Sequence, residues 1–220
     1  MYLETVTGRL VNVVEPSPDQ ISIEDIAWGL SRIARFCGST ITAVPYNVAQ
    51  HCIFVAEEIK SIFDDPSEYK ELAFIEADIR KLAQNEKEPG ETILLGLIHD
   101  AAEVYIGDIP SPVKRIPELR PIIKKVESSL MSAIYLSFSL PEPSNIQKAI
   151  VEHADKIAQR VEAHAFMQSR GNHWQGLPTV SLEKLQKFEA PLPSLDAYKI
   201  FMEYFNFYFD KYKSQTILAK

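Results

Sequence analysis

Residues 94–115, LLGLIHDAAEVYIGDIPSPVKR, place ionisable side chains where the neighbouring residues predict a buried helix. An apolar run ends at His99 and Asp100, and Glu103 follows three residues later. His99 and Asp100 would lie about 100° apart around a helix, with Glu103 on the same side. Buried ionisable groups are normally hydrogen-bonded, paired or bound to a metal. An imidazole beside a carboxylate suits a divalent cation, but two ligands do not complete a site.

Further ligands must come from other parts of the chain. His51 lies on the inward stripe of a predicted helix, a place where a histidine is usually a hydrogen-bonded core residue. The long predicted helix over residues 142–168 offers His153, Asp155 and His164. Helical periodicity places both of these histidines nearer to its apolar centre than Asp155. Periodicity alone therefore leaves the remaining ligands undecided.

The elements that would position these residues are mostly helical. Two short β segments surround Gly8 and predict an N-terminal hairpin. Apolar spacing then predicts a series of helices and one all-α domain over residues 1–220. Residues 61–90 are predicted as a solvated insertion and 170–220 as a C-terminal helical extension. The predicted helices cover residues 22–38, 47–60, 90–105, 116–138, 142–168 and 193–213.

Composition limits the class of protein. The chain has 220 residues and a net charge of −7, which argues against a protein that binds long nucleic acid. The N-terminus lacks a signal-peptide pattern, and no apolar window is long enough to span a membrane, so we expect a cytoplasmic protein. Cys37 and Cys52 are expected to be reduced, buried thiols.

The order H…HD…D formed by His51, His99-Asp100 and Asp155 resembles the signature of the HD-domain metal-dependent phosphohydrolases. The blocks NVAQH, HDAAEVYIGDIPSPVK and HADKIAQRVEA resemble those of bacterial 5′-deoxynucleotidases in this superfamily. The N-terminal pattern TGRLVNVVEPSPDQISIEDIAWGLSRIARFCGST is more similar to the phage and prophage branch, which includes dATP triphosphohydrolases. The resemblance implies an HD-domain helical bundle.

The resemblance also implies roles for single residues. His51, His99, Asp100 and Asp155 would be the ligands of one divalent metal ion: Mn, Co or Zn, with Mg, Fe or Ni as further candidates. A bound divalent ion polarises phosphate oxygens and activates water. Glu103 and Asp108 would be the catalytic acid and base, in an order that the sequence leaves open. Arg35, Phe36 and Lys114 match substrate-binding positions.

Several functions are compatible with this pattern. The leading hypothesis is hydrolysis of phosphate from (deoxy)nucleotides, by a dNTP (dATP-like) phosphohydrolase or a 5′-deoxynucleotidase. The alternatives are an alarmone hydrolase of the guanosine tetraphosphate type and a non-catalytic nucleotide sensor. The expected partners are a small nucleotide and further copies of the chain, as a dimer or larger homo-oligomer, with no membrane.

Other residues of chemical interest are expected to be structural. His153, His164 and His173 are predicted to be core or exposed residues rather than ligands. Trp28 is expected to pack in the core, although it lies close enough in sequence to Arg35 to contact a nucleobase. Six aromatic residues of the last helix are predicted to belong to the core or a subunit interface: Tyr198, Phe201, Tyr204, Phe205, Tyr208 and Tyr212.

Overall fold

The computed structural model describes residues 1–84, 88–188 and 190–218, and these form a helical bundle with one short hairpin. The hairpin pairs its two strands antiparallel, with Tyr2 opposite Asn12. The all-α class and the hairpin are confirmed. The elements are β1 (Tyr2–Glu4), β2 (Leu10–Asn12), α1 (Ile23–Arg32), α2 (Val48–Asp64), α3 (Glu76–Ala83), α4 (Glu88–Leu97), α5 (Glu103–Ile106), α6 (Ser111–Lys114), α7 (Arg120–Ser137), α8 (Asn145–Phe166), α9 (Leu182–Leu185) and α10 (Ser194–Leu218).

Helix α2 is the centre of the bundle and is buried over most of its length. It packs against α4 and α8, while α10 crosses α1, α2 and α4. Gly96 permits the close approach of α4 to α2, because a Cβ atom there would lie 2.1 Å from Cδ1 of Ile59. This packing brings one face of α2 against the end of α4 and the middle of α8.

Local signals explain where the two central helices begin. The side chain of Asn47 caps α2 by accepting a hydrogen bond from the backbone N–H of Gln50 at 3.0 Å. A reciprocal capping box between Ser144 and Gln147 starts α8. Both arrangements satisfy backbone N–H groups that a helix start leaves without partners. These helices agree with the sequence prediction to within a few residues.

The first predicted helix is wrong at its C-terminal end. Helix α1 stops at Arg32 instead of continuing to Gly38, because the chain becomes extended at Ile33. The backbone N–H of Arg35 then bonds to the carbonyl of Tyr46 at 2.8 Å. Phe36 follows in the left-handed region at φ 55°, and Cys37 at φ 52°. Arg35 therefore begins a tight turn and does not end a helix.

The predicted helix over residues 90–105 is also interrupted. Residues 98–102 form a turn between α4 and α5, in which Ala101 bonds back to Ile98 and Glu103 to Asp100 by three-residue hydrogen bonds. The turn includes His99 and Asp100. Both residues thus lie at a bend that follows α4, and both side chains reach His51 of α2.

Residues 61–84 are better packed than a solvated insertion would be. Tyr69, Leu72 and Ile79 are buried in the common core. Residues 85–87 of the predicted insertion lie outside the described residues. In α10, the aromatic residues Phe201, Phe205 and Tyr212 are also in the core, as expected. No helix among the described residues is both long and apolar enough to cross a membrane.

Candidate metal centre

Four side chains from three parts of the bundle converge on one point. His51 comes from α2, His99 and Asp100 from the turn after α4, and Asp155 from α8. Nε2 of His51 lies 3.3 Å from Nε2 of His99, 3.2 Å from Oδ1 of Asp155 and 3.5 Å from Oδ2 of Asp100. Nε2 of His99 lies 3.3 Å from the same Asp100 oxygen. Two imidazole nitrogens and two carboxylates therefore face one another.

Each imidazole is oriented through its other nitrogen. Nδ1 of His51 lies 2.6 Å from Oε1 of Glu162, and Nδ1 of His99 lies 2.7 Å from the carbonyl oxygen of Gly96. When Nδ1 carries the proton and donates to these acceptors, the lone pair of each Nε2 points into the cluster. Such outer contacts fix the tautomer of histidines that bind metals.

Glu162 is the functional residue that the sequence interpretation missed. It is fully buried and accepts hydrogen bonds from Tyr46 OH at 3.0 Å and Arg35 Nε at 3.2 Å, besides its contact with His51. Burial by itself would raise the pKa of Glu162, but the charge of Arg35 and the hydrogen bonds from His51 and Tyr46 hold it below the usual range. A signal was present, because Glu162 follows Asp155 by seven residues, two turns along the same side of α8.

This donor set fits a divalent metal ion. The pattern of two neutral imidazoles and two carboxylates is common for Zn²⁺ and similar borderline cations. His51, His99 and Asp155 can hold one ion between them. A second group joins His99 and Asp100 to the thiol of Cys52, which was predicted as buried but not as a neighbour of the cluster. Burial raises the pKa of Cys52 to about 11, so its thiol is a weaker candidate than the carboxylates.

Two further acidic residues lie next to the cluster. Glu103 is buried, and its Oε2 has no hydrogen-bond partner among the described residues. Burial, together with the charges of Asp100 and Asp108, raises the pKa of Glu103 to about 9. The pKa of Asp108 is also raised, mainly by burial. Gly107 precedes Asp108 at φ 79°, a conformation that turns the chain sharply after α5 and that other residues rarely adopt.

The predicted cations differ in their surroundings. Nη1 of Arg35 lies 3.5 Å from Asp100, and its Cζ lies 5.4 Å from the centre of the Phe36 ring. Since Arg35 has five N–H donors, it can hold Glu162 and still contact a substrate. Lys114 lies 2.9 Å from Glu127 and 3.6 Å from Glu103. It is therefore part of an ion-pair network at the edge of the cluster.

Two cavities adjoin these residues. The first, which we call the aromatic cavity, has a volume of about 610 Å³ and is lined by Arg35, Phe36, Asp108, Trp174 and their neighbours. The second, which we call the lysine cavity, has a volume of about 570 Å³. Its wall includes His99, Asp100 and Glu103, together with three lysines: Lys114, Lys124 and Lys148.

The remaining candidate residues lie elsewhere. His153 is buried beside Tyr69, with 5.9 Å between the ring centres, and does not contact the cluster. His164 is half-buried and His173 is exposed. Trp28 stacks on Tyr198 with 4.1 Å between ring centroids. Periodicity correctly placed His153 nearer to the core than Asp155, and the cluster nevertheless uses the flanking residue.

The helical bundle and its His/Asp cluster are those of an HD-domain protein. A family model described as 5′-deoxynucleotidase YfbR-like matches residues 27–208. The chain is also similar to an uncharacterized protein of Rhodobacter capsulatus, with 31% identity over 79% of this chain and 78% of the relative. The uncharacterized protein YfdR of Escherichia coli is 28% identical over 93% and 94% of the two chains. The chain belongs to the YfbR-like 5′-deoxynucleotidase family of the HD superfamily.

Proposed function

We propose that this protein is a metal-dependent phosphohydrolase that removes the 5′-phosphate of 2′-deoxynucleoside monophosphates. The main support is the convergence of two imidazole nitrogens and two carboxylates beside the buried Arg35 and beside Glu103, whose Oε2 has no hydrogen-bond partner among the described residues. His51, His99, Asp100 and Asp155 would hold the ion, which we expect to be Mn²⁺, Co²⁺ or Zn²⁺. When bound, such an ion acts as a Lewis acid on a phosphate oxygen and makes water more acidic.

The protein residues would perform the other parts of the reaction. Asp100 and Asp155 nearly neutralise a divalent ion, so the guanidinium of Arg35 is needed to bind a phosphate dianion. Glu103 and Asp108 would divide the proton transfers: one deprotonates the attacking water and the other protonates the leaving 5′-oxygen. Lys114 would hold Glu103 in place through their 3.6 Å contact.

One assay tests this proposal against a binding-only role. The purified protein is supplied with Mn²⁺, Co²⁺ or Zn²⁺ and tested on nucleoside mono-, di- and triphosphates, with phosphate and nucleoside both measured. We expect deoxynucleoside monophosphates to be hydrolysed and Asp100→Ala to lose both metal and turnover. Glu152→Ala is the matched control, because it removes an exposed carboxylate of α8 that lies outside the cluster. Tight nucleotide binding without hydrolysis under all conditions would favour a sensor.

The lysine cavity favours a second candidate substrate, a deoxynucleoside triphosphate. Lys124 and Lys148 line this cavity together with His99, Asp100 and Glu103, and they could bind additional phosphate groups there, although Glu127 and Glu142 line it as well. If triphosphates are substrates, replacing Lys124 and Lys148 by alanine should raise KM for dATP and leave KM for dAMP unchanged. Equal effects on the two substrates would rule out this use of the cavity.

A further inference from the structure

The second tryptophan of the chain lies in the wall of the aromatic cavity. Trp174 is half-buried in the segment between α8 and α9 and lines this cavity together with Phe36. The two ring centroids are 5.5 Å apart, with planes inclined by 63°. An indole ring at a cavity offers a large, rigid face that is suited to an aromatic ligand. The amide side chains of Gln159 and Gln175 line the same cavity.

Along one wall of the cavity, a charged side chain is followed by two aromatic rings. Arg35 lies 3.5 Å from Asp100 of the cluster, its Cζ lies 5.4 Å from the Phe36 ring, and the Phe36 ring adjoins Trp174. The contacts therefore run in order from the cluster to Arg35, Phe36 and Trp174. A nucleotide has a similar order, since one sugar separates its phosphate from its base.

The turn that carries Phe36 has an unusual backbone. Phe36 and Cys37 are consecutive non-glycine residues in the left-handed region, at φ 55° and 52°. Such conformations are costly and persist only where the surrounding structure enforces them, which is frequently at ligand sites. The turn gives Arg35 and Phe36 adjacent positions in the cavity wall. The strained turn and the indole thus form two sides of one cavity.

We propose that Trp174 stacks on the base of the bound nucleotide and makes the protein prefer nucleotides to base-free sugar phosphates. The inference rests on the proposed function for the phosphate end of the site, at Arg35 and the cluster. Stacking on an aromatic face tolerates different bases. The amides of Gln159 and Gln175 supply donors and acceptors for the base edge.

Intrinsic fluorescence tests the stacking separately from catalysis. The chain has two tryptophans, Trp28 and Trp174. Trp28 is covered by Tyr198 at 4.1 Å and by the guanidinium of Arg32 at 4.5 Å, so it is the matched control. The probe is the phosphonate analogue of dAMP, whose methylene group in place of the ester oxygen prevents turnover.

Saturable quenching is expected in wild type and in Trp28→Phe, whose only indole is Trp174. No quenching is expected in Trp174→Phe, or with 2-deoxyribose 5-phosphate on any variant. Quenching that persists in Trp174→Phe, or an absence of quenching in Trp28→Phe, would overturn the proposal. Because the probe is not hydrolysed, this result is independent of whether the protein proves to be a phosphohydrolase.

Kinetics supply a second readout. The quantity measured is kcat/KM for dAMP divided by kcat/KM for 2-deoxyribose 5-phosphate. Trp174→Ala should lower this ratio by about tenfold or more, the loss typical of one base–aromatic stack, and Trp174→Phe should restore most of it. An unchanged ratio in Trp174→Ala would refute base stacking, whereas a wild type that hydrolyses neither compound would refute the proposed function instead.

Discussion

Two buried glutamates adjoin the cluster from different helices, and their surroundings are opposite. Glu162 on α8 is fully buried and accepts hydrogen bonds from Tyr46 and Arg35 while contacting His51. Glu103 at the start of α5 is almost as buried, but its Oε2 has no partner among the described residues. The pKa of Glu162 is lowered, and that of Glu103 is raised to about 9. The partners of each residue, rather than its burial, make the difference.

The contrast distinguishes a residue that positions its neighbours from a residue that can take part in proton transfer. A carboxylate whose oxygens are used by fixed donors holds its neighbours in place and has little capacity left for a substrate. A buried carboxyl group with an open oxygen is costly to keep, and such groups are frequent where protons are transferred. Glu162 therefore orients His51 and Arg35, while Glu103 is the better candidate for acid–base catalysis.

The largest expected effect is on catalysis by Glu103. Glu103→Gln keeps the size of the side chain but removes the carboxyl group that can accept and donate a proton, so kcat should fall by about 10²–10⁴-fold. Metal content should remain that of wild type, because Glu103 is not among the proposed ligands. Steady-state kinetics and elemental analysis of the same preparation provide the test. A fully active variant would show that the acid–base role belongs to another residue.

Glu162→Gln should have a different signature. Loss of the anion behind His51 should lower metal affinity by about 10–100-fold, as for other outer contacts of metal-binding histidines. The change also removes one of the two carboxylates beside the buried Arg35 and leaves Asp100 as the other, so the free energy of unfolding of the metal-free protein should fall by about 1–3 kcal/mol. Metal titration and urea unfolding measure the two effects. Wild-type metal affinity in this variant would show that Glu162 does not support metal binding through His51.

Much of this site could be predicted from the sequence. The motif combination pointed to His51, His99, Asp100 and Asp155, and these four side chains lie together in the structure, whereas their role as metal ligands stays a prediction. The spacing from Asp155 indicates only the side of α8 on which Glu162 lies. Its contacts could not be predicted, because they join residues that are distant along the chain, such as Tyr46 and Glu162, which are 116 positions apart. Trp174 was likewise invisible, since its segment has no regular periodicity that would place it beside Phe36.

The fold was predictable to a similar degree. Apolar spacing located the main helices, whereas it missed the end of α1 at Arg32 and the break at residues 98–102. Both breaks depend on tertiary hydrogen bonds or on short-range turns within apolar sequence, which leave no glycine or proline signal at the break itself. Both breaks also contain site residues: Arg35 and Phe36 follow the end of α1, and His99 and Asp100 lie in the turn after α4. A continuous helix would direct these side chains differently.

A third buried glutamate, Glu58, tests whether a buried glutamate with fixed hydrogen-bond donors affects metal binding when it does not contact the cluster. Glu58 accepts a hydrogen bond from Tyr69 OH at 2.7 Å and contacts Lys184, which resembles the Tyr46 and Arg35 contacts of Glu162. No histidine of the cluster contacts Glu58. Glu58→Gln should therefore lower the free energy of unfolding by about 1–3 kcal/mol without changing metal content or kcat. A loss of bound metal in this variant would mean that the two networks are coupled.

The last prediction concerns the pH dependence of the free energy of unfolding, where the change expected for each pH unit is small. In the metal-free protein Glu103 has a pKa of about 9, whereas the unfolded chain has the ordinary value near 4.5. Between these values the folded state keeps a proton that the unfolded state has lost, so this contribution to stability falls as pH rises from about 4.5 to 9. The slope is at most about 1.4 kcal/mol per pH unit for one group.

Glu103→Gln removes that titration while keeping a neutral side chain of the same shape. The wild type loses this contribution as pH rises from 5 to 9, whereas the variant has no such titration. The free energy of unfolding of the metal-free variant, relative to that of wild type, should therefore increase steadily over this range. Urea unfolding of both proteins at several pH values gives the difference directly and cancels the contributions of the groups that do not interact with Glu103. A difference that is constant with pH would mean that Glu103 is ionised in the folded protein. Its open oxygen would then have to be stabilised by a cation, and the contrast with Glu162 would disappear.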